Sequence, residues 1–163
     1  MKNQKIQTNQ IGHSYQHKKN LSYYNLKKRI KKNEGFSSKP YQDSLGFFTI
    51  GFGHLILPNE KHLLEKKIKK TDLEKIFQND FYKALSGYNF FLKNFTSNKK
   101  EAELLIEMVF QLGIKRVCKF KKLLQNLNNE HKYLVCFEMM SSLWYKQTPN
   151  RVKNLVNVFL KNG

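Results

Sequence analysis

The most constraining stretch of this chain is residues 104–112 (LLIEMVFQL), which would be apolar on nearly every side of a helix. A surface helix keeps one polar face, so a helix without one has to be buried among other elements. Glu107 interrupts the run and needs a partner or a water-filled pocket. Asn98 and Glu101 resemble a capping pair before the run, and Gly113 ends it. This stretch therefore predicts the central buried helix of a helical lobe.

Further helices are predicted on both sides of this buried one. Two amphipathic stretches follow it, near residues 117–127 and 132–143. A last helix is expected to begin with Thr148 as N-cap and Pro149 at the first helical position. Its apolar face comprises Val152, Leu155, Val156 and Phe159. A first helix is predicted from Ser22, as N-cap, to residue 33, with Leu26 and Ile30 on one face and Gly35 as C-cap.

After Gly35 the pattern changes from helical to strand-like. Residues 39–43 and 47–52 are predicted as two short strands joined by the turn Ser44-Leu45-Gly46. Gly51 and Gly53 indicate a bulge or a place where another molecule approaches the backbone. A Lys-rich connection with one short helix follows at residues 56–70.

A long helix should follow this connection. Thr71 and Glu74 form a capping box, and the apolar stripe behind them comprises Leu73, Ile76, Phe77, Ala84, Leu85 and Tyr88. Asp80 falls on that stripe, where an unpaired acid is costly, so we expect an ion pair with His54. The predicted fold is α+β, mainly helical, in two lobes. A small antiparallel sheet lies in the N-terminal lobe (about 34–72), the long helix bridges the lobes, and residues 85–163 plus the first helix form the other lobe.

The formal net charge of +18 predicts attraction to polyanions: nucleic acid, anionic lipid or a negatively charged bacterial envelope. A lysine-rich proteome that fills solvated faces with lysine is the plainer explanation. The first 33 residues hold nine Lys or Arg and no acid. Residues 1–21 are predicted as a flexible basic arm, which is typical of nucleic-acid binding and equally of an uninformative tail.

Few special chemistries are indicated by the remaining residues. Cys118 and Cys136 sit in apolar surroundings without metal-ligand spacing, and the five histidines form no recognisable metal set. We therefore expect no metal and no cofactor. Neither a membrane-spanning run nor the apolar core of a signal peptide is present in the sequence.

Glu34, Asp43 and Thr49 stand out chemically, at the spacing Glu-x8-Asp-x5-Thr. Hydrolysis of a glycosidic bond needs two carboxylates on different elements, one to donate a proton and one to handle water or the sugar cation. In isolation the plainer interpretation is better: surface carboxylates at a helix end and a turn, and an ordinary strand threonine.

Three segments that follow one another along the chain favour the catalytic interpretation: residues 34–55 (EGFSSKPYQDSLGFFTIGFGHL), 108–113 (MVFQLG) and 144–153 (WYKQTPNRVK). Together they resemble the phage-type lysozymes, endolysins of glycoside hydrolase family 24 of the T-even type, over about residues 22–160. The resemblance implies a muramidase that cleaves the β-1,4 bond between N-acetylmuramic acid and N-acetylglucosamine. It makes Glu34 the general acid, with Asp43 and Thr49 holding the attacking water, and it implies inversion, which needs a carboxyl separation of roughly 6.5–9.5 Å.

The resemblance also implies a cleft and its supports. Gly53, Leu55, Phe110 and Gln111 match cleft-lining positions. Arg151 matches an arginine that reaches Glu34 across the cleft. Trp144 is expected to be a packing residue, and His54 with Asp80 a structural ion pair.

The expected biology is that of a monomeric endolysin. It would stay in the host cytoplasm until a holin or another export route releases it to peptidoglycan, with no specific nucleic-acid partner. Two alternatives stay open: a catalytically weak cationic protein that binds polyanions or membranes, and a muramidase component of a phage tail or toxin.

Overall fold

The computed structural model describes residues 23–43, 46–65 and 67–161. The predicted basic arm, the Ser22 cap and the turn residues Ser44 and Leu45 lie outside the described residues. The helices are α1 Tyr24–Glu34, α2 Lys70–Phe91, α3 Lys99–Leu112, α4 Ile114–Val117, α5 Lys121–Asn128, α6 Lys132–Met140, α7 Leu143–Gln147 and α8 Pro149–Leu160. The strands are β1 Ser37–Gln42, β2 Phe48–Gly51 and β3 His54–Leu55, and short 3₁₀ turns occupy Pro58–Leu63 and Lys93–Phe95.

The three strands form one antiparallel sheet in the order β1-β2-β3. Tyr41 pairs with Thr49, and Ile50 pairs with His54. The predicted hairpin is confirmed, although β1 begins two residues earlier than expected and ends one residue earlier. Gly46 has a φ of +83°, a left-handed conformation that glycine adopts without steric cost, which lets the chain turn back into β2.

Two apolar cores lie along α2. The smaller core comprises Ile50, Leu63 and Leu73, beside the sheet. The larger core contains Phe77, Phe81, Ala84 and Tyr88 of the same helix, together with the apolar faces of α1, α3, α5, α6 and α8. One helix therefore contributes to both cores, and this confirms the predicted α+β fold with a bridging helix.

The predicted buried helix is α3, in which Leu104, Leu105, Ile106 and Met108 are at most 1% exposed. Glu107 is fully buried in the middle of it. Its two carboxylate oxygens accept hydrogen bonds from Arg29 Nε at 2.7 Å and from Asn33 Nδ2 at 2.9 Å, both on α1. The acid therefore has the partners that burial requires, and it ties α1 to the core helix.

Of the three predicted helix caps at Asn98, Thr71 and Thr148, only the side-chain cap of Asn98 is present. Asn98 caps α3 as expected, because its side chain accepts from the N–H groups of Lys100 and Glu101. The capping box at Thr71 is wrong: α2 begins at Lys70, so Thr71 lies inside the first turn, and the Lys69 carbonyl accepts the N–H groups of Asp72 and Leu73. Thr148 does precede α8, yet its hydroxyl donates to the Trp144 carbonyl instead of capping the helix.

The helices after α3 are shorter than predicted. The stretch 117–127 is divided between α4 and α5, and the stretch 132–143 ends with α6 at Met140. A separate helix, α7, starts after Ser142, whose hydroxyl accepts from the Tyr145 N–H and so caps a new first turn. Cys118 and Cys136 are free thiols. In the part of the chain that the structure describes, no helix is both long and apolar enough to cross a bilayer.

The buried Glu107 network predicts a large effect of a single substitution. Replacing Glu107 by alanine leaves Arg29 Nε and Asn33 Nδ2 without their acceptor, while Arg29 keeps its ion pair with Glu103, so we expect a loss of about 3 kcal/mol in the free energy of unfolding. Glu107→Gln keeps one carbonyl oxygen and should lose less. Urea denaturation followed by circular dichroism measures both changes.

The matched control is Asp72→Asn, because Asp72 pairs with Lys75 in an exposed i,i+3 ion pair. Exposed pairs contribute little, so the change in unfolding free energy should stay within about 1 kcal/mol. Equal losses for Glu107→Ala and Asp72→Asn would contradict a structural role for the buried carboxylate.

Candidate active site

Glu34 is the last residue of α1, and Gly35 follows it as the C-cap with a φ of +74°. Arg151, in the first turn of α8, donates from Nη2 to Glu34 Oε1 at 2.6 Å. The side chain of Glu34 is 18% exposed and that of Arg151 is 11% exposed. This short charge-assisted contact fixes the carboxyl group of Glu34 against the first turn of the last helix. The contact expected between Arg151 and Glu34 is therefore present.

The second oxygen of Glu34 lies beside the backbone of Gly53. A Cβ atom added to Gly53 would lie 2.8 Å from Glu34 Oε2, closer than such atoms approach. Gly53 also has a φ of +80° and sits between β2 and β3. The glycine is therefore needed both for its conformation and for the approach of Glu34, so the group that approaches its backbone is a side chain of the same protein.

The hairpin places Asp43, Thr49 and Tyr41 near one another. Tyr41 and Thr49 are cross-strand partners, and Asp43 follows directly after the end of β1. Asp43 Oδ1 accepts the Phe47 N–H at 2.9 Å, which orients the carboxylate. Thr49 is buried.

Tyr41 connects this group to Glu34 electrostatically. Partial burial raises the pKa of Tyr41, and the negative charges of Glu34 and Asp43 raise it further. Both carboxylates therefore act on the same phenol. The predicted acid and the second carboxylate thus both act on Tyr41, which pairs with Thr49 across the sheet and which sequence reasoning did not single out. Its position opposite Thr49 in an alternating hairpin was the available signal.

A groove of about 440 Å³ runs from Gly53 between the sheet and the helices. The sheet side contributes Gly53, His54, Leu55 and Leu57, α2 contributes Asp80, Lys83 and Ala84, and the end of α3 and the start of α4 contribute Val109, Phe110, Gln111, Gly113 and Ile114. The four predicted cleft residues, Gly53, Leu55, Phe110 and Gln111, all line this groove.

Aromatic packing and one hydrogen bond support the groove from behind. Phe110 contacts Phe77 at a ring-centroid distance of 5.6 Å, and Phe77 contacts Phe52 at 5.4 Å. Buried Trp144 donates from Nε1 to Gln111 Oε1 at 2.9 Å. Trp144 is thus a packing residue, as expected, and it also directs the Gln111 side chain.

The predicted ion pair between His54 and Asp80 is confirmed, with Nδ1 2.7 Å from Asp80 Oδ2. The structure adds Glu60, whose Oε2 lies 3.0 Å from His54 Nε2 and also accepts the Leu57 N–H. The hydrogen bond to Asp80 is the main reason that the pKa of His54 is raised, although burial opposes the shift. Glu60 was missed because it lies in the Lys-rich connection, where nothing in the sequence marks its direction.

This ion cluster predicts a pH-dependent contribution to stability. The pKa of His54 in the folded protein lies above its ordinary value of 6.5, so the stabilisation is complete below about pH 6.5 and is lost as the pH rises through the raised value. We expect the difference in unfolding free energy between wild type and His54→Gln to be larger at about pH 6 than at about pH 9. Denaturant titrations across this range measure it.

The control for this measurement is His62→Gln, which removes an exposed histidine from the neighbouring 3₁₀ turn. That variant should differ little from wild type at either pH. A difference for His54→Gln that is the same at both pH values would show that the charged imidazole does not stabilise the fold.

Comparison with known proteins agrees with the sequence resemblance. The model of the phage lysozyme family matches residues 31–158. A protein of Dictyostelium discoideum named probable T4-type lysozyme 2 is 31% identical over 159 aligned positions, which cover 82% of this chain and 92% of the relative. Probable T4-type lysozyme 1 of the same organism is 29% identical over 158 positions, with the same coverage of both chains.

Proposed function

This chain belongs to the phage lysozyme family and is therefore a lysozyme-type glycosidase, and from that premise we propose that it is a muramidase of peptidoglycan. The bond cleaved is the β-1,4 linkage between N-acetylmuramic acid and N-acetylglucosamine. The observation that carries this proposal is the position of Glu34. One carboxyl oxygen accepts a hydrogen bond from Arg151, and the other lies beside the backbone of Gly53, a residue that lines the groove.

Glu34 acts as the general acid in this proposal. The leaving glycosidic oxygen needs a proton as the bond to the anomeric carbon breaks, and a positioned carboxylic acid supplies it. The Arg151 contact occupies Oε1 and leaves Oε2, beside Gly53, as the oxygen that would carry the proton. Substrate in the groove would displace water from around the carboxyl group, which strengthens its interaction with the sugar oxygen.

Asp43 and Thr49 hold the attacking water. Thr49 pairs with Tyr41 across the sheet and Asp43 follows β1, so both belong to the hairpin, whereas Glu34 ends the first helix. A carboxylate accepts the proton of the water, and the threonine hydroxyl orients the molecule toward the anomeric carbon. Attack from the face opposite the leaving group inverts the configuration at that carbon. Tyr41 is placed to hydrogen-bond either the water or the neighbouring sugar.

The groove provides binding sites for the sugar rings on both sides of the cleaved bond. Leu55 and Phe110 offer apolar surface, and Gln111 offers an amide that Trp144 holds in place. Mixed apolar and hydrogen-bonding walls suit pyranose rings, which have apolar faces and polar edges.

The setting that suits this activity best is lysis of a bacterial host by an endolysin. The charge of +18 attracts the protein to anionic cell envelopes, and a holin or another route would deliver it to the wall. A muramidase within a phage tail or toxin would use the same residues.

Muropeptide analysis tests the activity and the role of Glu34 together. Purified peptidoglycan is digested with wild type and with Glu34→Gln, which cannot donate the proton. We expect new reducing ends at muramic acid for wild type only, with at least about a 100-fold loss of rate for the variant. Glu65→Gln, which changes an exposed glutamate, should digest the wall like wild type.

Other product patterns have a defined meaning. Anhydro-muramic ends would identify a lytic transglycosylase, and equal digestion by Glu34→Gln would sink the assignment of the acid. Near-ultraviolet circular dichroism of the variant shows whether the fold survives loss of the ion pair with Arg151.

The close approach of Gly53 to Glu34 gives a second test. Alanine at residue 53 places a methyl group against Glu34 Oε2 and should displace the carboxyl group, with a loss of about 100-fold in kcat/KM. The matched control is Gly46→Ala, which carries the same left-handed strain at φ +83° but meets nothing within 4 Å. If both variants lose the same activity, backbone strain and not the position of Glu34 is responsible.

A further inference from the structure

The outer face of α6 and the start of α7 expose four large apolar side chains. Tyr133 is 80% exposed, Phe137 64%, Leu134 49%, and Leu143 at the start of α7 is 68% exposed. The inner face of α6 is buried through Val135, Cys136 and Met139. These four exposed residues, which we call the α6–α7 patch, are not required for the core, and clustered exposed apolar side chains mark an interaction site.

A block of positive charge precedes this patch along the chain. Residues 108–129 contain five cationic residues and no acid, whereas the loop before α6 carries Glu130 and α6 itself carries Lys132 and Glu138. All five are exposed: Lys115, Arg116, Lys119, Lys121 and Lys122. Helix α5, which begins with the last two, packs against α6 and is joined to it by residues 129–131. Lys121 and Lys122 therefore lie on the helix that packs directly against α6.

The apolar patch and the nearby cations together indicate which class of partner fits. A second copy of the chain would bring another charge of +18 to the interface, and like charges oppose that association. A wall polysaccharide or a nucleic acid satisfies the cations but offers little for Leu134, Phe137 and Leu143. An anionic lipid bilayer satisfies both, because headgroups attract lysine and arginine while the acyl boundary accepts aromatic and aliphatic side chains.

We propose that the α6–α7 patch docks on anionic lipid bilayers. Tyr133, Leu134, Phe137 and Leu143 enter the interfacial layer, and the cationic residues of α4 and α5 contact the headgroups. Tyrosine suits this depth because its ring is apolar and its hydroxyl remains hydrated. The docking is a peripheral attachment. It uses none of the residues of the groove and is independent of the proposed hydrolysis.

Vesicle sedimentation of the full chain tests the proposal. Wild type should bind vesicles of phosphatidylcholine with about one-third phosphatidylglycerol at least about 100-fold more tightly than pure phosphatidylcholine vesicles. The variant Tyr133→Ser/Leu134→Gln/Phe137→Ser should bind the anionic vesicles about 10- to 100-fold more weakly than wild type. Replacing the five cationic residues of 115–122 by glutamine should remove most of the preference for anionic lipid.

The matched control is Phe90→Ser/Phe91→Ser, which removes two aromatic residues exposed by 83% and 54% at the end of α2. That variant should bind like wild type. Near-ultraviolet circular dichroism identifies folded protein for every variant. Hydrolysis of lipid-free peptidoglycan, if wild type hydrolyses it, gives a second check for the triple variant and the Phe90/Phe91 variant, which keep the wild-type charge and change no residue of the groove.

Three outcomes would overturn the proposal. The first is equal binding of wild type and the triple variant, which means that charge alone is sufficient. The second is an equal loss for the Phe90/Phe91 variant, which means that any exposed aromatic residue serves. The third is a wild-type dimer in sedimentation velocity that the triple variant abolishes, which identifies a second copy as the occupant.

Discussion

The contact on which the candidate site depends joins residues at nearly opposite ends of the described chain. Glu34 ends the first helix and Arg151 begins the last, 117 positions later. Every element between them has to fold before the two side chains can meet. A variant that unfolds the C-terminal helices would therefore be expected to release Glu34 as well, even though no atom of the hairpin has changed. The chemistry of this site is a property of the whole fold.

Two charged networks hold the elements around the groove in place. Behind α1, buried Glu107 binds Arg29 and Asn33, and Asn33 directly precedes Glu34. Between the sheet and α2, His54 bridges Asp80 and Glu60. Both networks join elements far apart in sequence, and both place charge where water is scarce. Such pairs add little net stability against an apolar alternative, but losing one partner is costly, so they specify one relative position of the elements.

How far these features could be predicted depended on whether the signal was local. Asp80 lies on an apolar stripe, which indicated that it needs a partner, and His54 in the preceding hairpin could be proposed. Glu107 in an apolar run also indicated the need for a partner. Its partners lie on α1, more than 70 positions away, and no sequence pattern identifies them. The residues Thr71 and Glu74 match the capping-box pattern, but they do not cap the helix, because α2 already starts at Lys70. Leu73 in its first turn packs against Ile50 and Leu63. Tyr41 and Glu60 gained their importance only from tertiary neighbours.

Most of the acidic residues pair with neighbours within the fold, whereas the cations of α4 and α5 face solvent. Ten of the twelve acids lie between residues 34 and 107, and most of them have structural partners: Glu34, Glu60, Glu74, Asp80, Glu101, Glu103 and Glu107 each bind a neighbour in the fold. The cations of α4 and α5 face solvent instead. Their attraction to an anionic surface is screened within about 8 Å at physiological salt, whereas the partly buried contacts of Glu34 and His54 are screened much less. Raising the salt concentration should therefore weaken attachment while leaving the geometry of the site intact.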